Sequence, residues 1–131
     1  MADFFALRQG DVLPEFSLCV DDSDVRAYLD ATGEPEERWR ESVPPLALGA
    51  LALAGLLEQV PPPPGLVHTS QEFQFLAAVQ IGQALTGCVT VAQRSKRRGM
   101  LFTVFAIELR SSAAVVLQGR ASVLFPDGDQ Q

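Results

Sequence analysis

Pro44-Pro45-Leu46-Ala47-Leu48-Gly49-Ala50-Leu51-Ala52-Leu53-Ala54-Gly55-Leu56-Leu57 is the stretch whose reading decides the fold. Two prolines open it. Proline is tolerated in the first turn of a helix, where the N–H groups have no helical partner. From Leu46 to Leu57 the pattern is apolar on all sides, with small residues among the leucines, which predicts a helix buried all round. The full apolar run, Val43 to Leu57, falls short of the roughly 20 residues that a membrane span needs. Pro61-Pro62-Pro63-Pro64 must be extended, so it ends the helix and serves as a stiff connector.

Downstream of the connector, four runs read as strands: Leu66 to Phe75, Leu85 to Gln93, Leu101 to Leu109 and Val115 to Phe125. The third alternates, with Leu101, Thr103, Phe105, Ile107 and Leu109 on one face and Phe102, Val104, Ala106 and Glu108 on the other. On the fourth, Val116, Gln118, Arg120 and Ser122 form the wetter face. The links at Ile81 to Gln83, Ser95 to Gly99 and Ser111 to Ala113 are short, which predicts antiparallel neighbours. Upstream, Leu13 to Val20 reads as a first strand. Asp22-Ser23-Asp24 is an N-cap signal for a short helix carrying Val25, Tyr28 and Leu29 on one face, with Gly33 as its stop. Glu34 to Ser42 reads as a polar loop around Trp39. The expected architecture is α+β: one domain over residues 1–131, an antiparallel sheet around a long apolar central helix, and a frayed tail over residues 126–131.

Composition narrows the function. The chain has 131 residues, enough for one real core. Its formal net charge is -6, a poor match for nucleic acid, whose binding rests on neutralising phosphates. Two cysteines, Cys19 and Cys88, make no disulfide framework and lack metal-ligand spacing; both read as small buried hydrophobes. The one histidine, His68, excludes any site needing two. No metal and no cofactor are therefore expected. The first residues carry no apolar core behind a basic end, so a signal peptide is not expected, and a cytoplasmic protein is. Charge is uneven: residues 1–41 hold eleven acids against four arginines, while residues 94–110 hold five basic residues against one acid, Glu108.

Several motifs, in order, resemble the MaoC-like dehydratases and hydratases, a family with the hot-dog fold. Asp24-Val25, Tyr28 and Ala31-Thr32-Gly33-Glu34 are similar to that family's segment of alanine or serine, threonine, glycine and an acid. Pro45-Leu46-Ala47-Leu48-Gly49-Ala50-Leu51 resembles its helix entry. Gly65-Leu66-Val67-His68-Thr69-Ser70-Gln71-Glu72-Phe73 and Val79-Gln80-Ile81-Gly82 resemble the strand and turn that follow, with most likeness to the fatty-acid-synthase-type dehydratase branch. The resemblance covers roughly residues 10 to 125.

The resemblance implies an acyl thioester on coenzyme A or acyl carrier protein as ligand, and a dimer whose acyl tunnel lies near the interface. It implies an aspartate and a histidine five residues later as acid and base, with a glycine N–H at the helix entry polarising the thioester carbonyl. Glu34 falls on the aspartate position. Trp39 stands where the histidine would be, and indole takes up no proton as imidazole does. Leu48 replaces the histidine of the helix entry, while Gly49 matches.

Candidate catalytic residues are therefore Glu34 for proton transfer, Gly49 for carbonyl polarisation and His68 as a substitute base. Each also has a plainer reading: a solvated loop acid, a glycine that lets the helix pack on the sheet, and a packed strand histidine. Arg94, Lys96, Arg97 and Arg98, with Trp39, are candidate substrate contacts. The basic cluster suits a phosphate-rich carrier, or else is a charged hairpin turn that blunts aggregation. Two functions stay open. One is an acyl-thioester-binding subunit with a degenerate acid–base site, dimerised with itself or with another hot-dog chain. The other is an active enoyl-CoA hydratase or thioesterase homodimer.

Overall fold

The computed structural model describes residues 2–34 and 42–126. A short 3-10 turn at Phe4–Ala6 precedes β1 (Phe16–Cys19), α1 (Asp22–Thr32) and α2 (Pro45–Gln59). Four longer strands follow: β2 (Val67–Phe75), β3 (Ala84–Arg97), β4 (Met100–Arg110) and β5 (Val115–Pro126).

The N-cap of helix α1 lies one residue before the expected signal. Asp21 is the N-cap: its carboxylate accepts from the Asp24 amide at 2.9 Å, and the Asp24 carboxylate accepts from the Asp21 amide at 3.1 Å. This reciprocal capping box satisfies two donors that the helix cannot, and it holds Asp21 below the usual carboxylate range. The helix ends at Gly33, whose left-handed φ of 72° explains the glycine.

Pro45 occupies the first turn of α2, as its fixed φ favours. The helix buries Ala47, Leu48, Gly49, Ala52, Gly55 and Leu56. It is not buried all round: Leu46 and Leu57 are 63% and 43% exposed. Apolar composition alone does not say how many sides are covered, and the sheet covers only one.

The five strands form one antiparallel sheet in the order β1-β3-β4-β5-β2. Strand β2 is therefore at the edge beside β5, not next to β3 as its link to β3 suggested. Residues 76–83 run across the sheet instead of turning back. They are held by Val43 N–H to the Val79 carbonyl and Gly82 N–H to the Val20 carbonyl, both 2.8 Å. Three strand spacings are about 14 Å, well within reach of such a segment.

Two phenylalanine rings set the distance between helix and sheet. The Phe16 ring of β1 fits against Gly55 on α2 and Gly87 on β3. The Phe73 ring of β2 fits against Gly49 on α2 and Gly119 on β5, its register partner. Any Cβ at these four glycines would press into a ring. The glycines thus select which edge each strand occupies.

The ends of other elements also move. Strand β3 continues through Arg97, so the turn to β4 is only Arg98 and Gly99, at φ 51° and 75°. Positive φ at both central residues gives the twist that a two-residue hairpin needs. Pro126, the first residue of the expected tail, pairs with Met100, while the rest of that tail lies outside the described residues. Cys19 is exposed at the sheet edge rather than buried. The inner face of β4 is as expected, with Thr103, Phe105, Ile107 and Leu109 all buried. Among the described residues, no helix is long and apolar enough to cross a membrane.

Candidate functional site

The second half of α2 does not seal against the sheet. Leu53, Leu56 and Val60 face Phe105 on β4 and Ala121 and Val123 on β5 across a cavity of about 230 Å3. Its wall is almost wholly apolar. Its chemistry suits a hydrocarbon chain and excludes a charged group, whose desolvation nothing there would offset. Leu57, exposed Pro62 and His68 stand at its outer side.

His68 is the chain's one imidazole and is exposed on β2. It reaches the cavity from the end of β2 opposite Phe73, roughly 16 Å away at the strand's rise per residue.

Gly49 serves the other half of α2, about 12 Å from Leu57 along the helix axis. It is buried, and a Cβ there would be 2.7 Å from the Phe73 ring. In the second helical turn its N–H is directed at the Pro45 carbonyl. The amides without a helical acceptor are those of Leu46 and Ala47, and Pro44 offers no side-chain cap. Gly49 is thus not among the free donors of this helix end; it keeps the helix close to Phe73.

Glu34 follows the Gly33 stop of α1 and is half-buried. Its carboxylate lies close enough to the Tyr28 hydroxyl for its charge to act on it. Desolvation raises the Tyr28 hydroxyl above 10.0, and the neighbouring Glu34 charge adds to it. Glu34 and His68 sit on different elements, and no hydrogen bond joins them. Trp39, the remaining candidate, lies outside the described residues.

The basic cluster divides. Lys96, Arg97 and Arg98 are exposed at the tip of the β3–β4 hairpin. Arg94 turns inward: its guanidinium donates to Thr103 Oγ1 at 2.9 Å and to the Phe4 carbonyl at 2.6 Å. It also stacks 4.6 Å from the Phe4 ring centre. A guanidinium so engaged is a structural clamp, and burial lowers it from its ordinary value. Phe4 itself lines the cavity. The sequence signal for it was the Phe4-Phe5 pair, which carries no periodicity to place it.

No family model matches the sequence, and no curated protein does. Solved structures do. An (R)-hydratase from A. caviae involved in PHA biosynthesis is 20% identical, with a TM-score of 0.73 over 92% of this chain and 98% of that one. A MaoC-like dehydratase from Rhodospirillum rubrum is 16% identical, with a TM-score of 0.75 over 93% and 94%. The chain has the hot-dog fold that these structures share. The ChsH1–ChsH2 complex from Mycobacterium tuberculosis shares it too, at 14% identity and a TM-score of 0.71 over 90% and 98%. In hot-dog terms, α2 is the central helix and the five strands are the sheet curved around it. Identity this low fixes the fold and leaves the chemistry to be argued from the site.

Proposed function

We propose that this protein is an acyl-thioester-binding subunit of the MaoC-like hydratase and dehydratase type, with a degenerate acid–base site. The observation that carries it is the position of the one imidazole. His68 stands at the mouth of an apolar cavity, while Glu34 lies near a tyrosine and Trp39 fills the place where the resemblance calls for a histidine. Hydration of an enoyl thioester needs a group to take a proton from water within hydrogen-bond reach of a group that gives one. Glu34 and His68 do not form such a pair.

Binding has better support than turnover. The acyl chain enters the cavity between α2 and β4–β5. The thioester carbonyl meets the imidazole at the mouth, and a coenzyme A or acyl-carrier-protein handle stays outside. Exposed Lys96, Arg97 and Arg98 supply positive charge to that handle on an otherwise acidic protein.

The subunit acts as a dimer. The outer edge of β2 has no partner strand among the described residues, and it exposes Val67 and Phe75. An unpaired edge of this length is a template for a second sheet. The ChsH1–ChsH2 complex, which shares this fold, contains two different chains, so a partner with its own acid–base pair is the favoured arrangement.

The test is a hydration assay on the purified protein with crotonyl-CoA and longer enoyl-CoA esters. Alone, the protein leaves the enoyl absorbance unchanged; mixed with a second hot-dog chain bearing an aspartate–histidine pair, it supports hydration. Turnover by the protein alone, lost in Glu34→Gln or His68→Ala, contradicts the degenerate site and establishes an active homodimer. Release of free thiol establishes a thioesterase instead.

A further inference from the structure

The inner end of the cavity is closed by Phe105 of the sheet together with Phe4, from the segment that precedes β1. Ala2 N–H donates to the carbonyl of Gln59, the last residue of α2, at 2.7 Å. Asp3 then caps the 3-10 turn by accepting from the Phe5 amide at 3.1 Å. These contacts set Phe4 beneath the helix end, 3% exposed, with its ring among the apolar residues of the cavity wall. His68 and half-exposed Leu57 mark the mouth; Phe4 and Phe105, each 3% exposed, mark the depth.

A segment with no helix or strand beyond one 3-10 turn is a weak wall unless something holds it. Arg94 supplies the hold. It reaches from β3 to the Phe4 carbonyl, covers the ring, and is itself fixed by Thr103, which is fully buried on β4. A guanidinium stacked on an aromatic face and bonded at both ends is well suited to this, and lysine is not.

We propose that Phe4, positioned by Arg94, is the end-stop that sets the longest acyl chain the cavity accepts. This rests on the acyl-binding reading of the same cavity. A dry cavity of about 150 Å3 holds benzene, so 230 Å3 takes a straight chain of roughly eight carbons before it meets the ring. Arg94 is a positioning residue that acts through Phe4.

The experiment is calorimetric titration of the full chain with saturated acyl-CoA esters of increasing length, and in parallel with straight-chain primary alcohols. In the wild type, affinity rises roughly fourfold per added carbon while methylenes are being buried, then levels off near eight carbons. In Phe4→Ala the break moves outward by several carbons, while esters shorter than the break keep their affinity. Phe4→Leu, the milder change, moves it by one or two. In Arg94→Gln the break blurs without loss of short-chain binding, and Phe5→Ala, whose ring is 55% exposed, leaves it in place. A break that stays put in both Phe4 variants overturns the proposal, as does the absence of any length dependence for either probe in the wild type. If the alcohols show the break and its shift but the CoA esters do not bind, the end-stop stands and the thioester reading falls.

Discussion

The Phe73 ring lies over Gly49, its Cε2 atom 2.7 Å from where a Cβ would be, and its other side presses on Gly119. The ring cannot withdraw from one glycine without meeting the other. Overpacking of this kind costs about 1–3 kcal/mol, against which alanine returns about 1 kcal/mol of helix propensity. Gly49→Ala is therefore expected to lower the unfolding free energy by about 1 kcal/mol net, and at most about 2, read as a lower urea midpoint. Adding Phe73→Leu should recover most of that loss, because the smaller side chain makes room. Full stability in Gly49→Ala alone would show that the ring is not wedged.

Tyr28 is the one tyrosine of the chain, so its titration can be followed without interference from others. Burial and the Glu34 carboxylate raise its hydroxyl above 10.0. A raised phenol favours the neutral form in the folded state. Its contribution to stability is then full below pH 10 and is lost as pH rises through the folded value. Absorbance titration near 295 nm should give a midpoint above that of the unfolded chain, and Glu34→Gln should move it partway back. An unchanged midpoint in Glu34→Gln would break the link between the two residues.

The free edge of β2 makes a prediction about assembly. Val67→Lys and Phe75→Lys each place a charge on an exposed apolar position of that strand. Lysine on an edge strand discourages sheet extension. Sedimentation velocity should find the wild type dimeric and the double variant shifted to monomer, with the far-ultraviolet circular dichroism unchanged. A dimer that survives both charges would place the interface elsewhere.

Much of the architecture was legible from local chemistry. Pro44-Pro45 and the tetraproline bounded α2, Gly33 stopped α1, and the alternation of β4 identified its buried face. Strand order was not legible, because it depends on contacts between distant residues. Phe73 meets Gly119 and Phe16 meets Gly87, and no periodicity couples such pairs. The site was legible only by residue type. Glu34, Gly49 and His68 looked like one constellation, yet they occupy separate parts of the fold. Arg94 read as part of a charged turn because its inward partners, Phe4 and Thr103, are remote from the hairpin tip or hidden in β4.

The most direct test of the account follows the imidazole. His68 is the only histidine, so its ring resonances in a proton NMR spectrum need no assignment by mutagenesis. Titration with octanoyl-CoA should shift them saturably, and coenzyme A alone should leave them in place, because only the acyl chain enters the cavity at whose mouth His68 stands. Resonances that do not move under saturating octanoyl-CoA, or that move equally with coenzyme A alone, would contradict it.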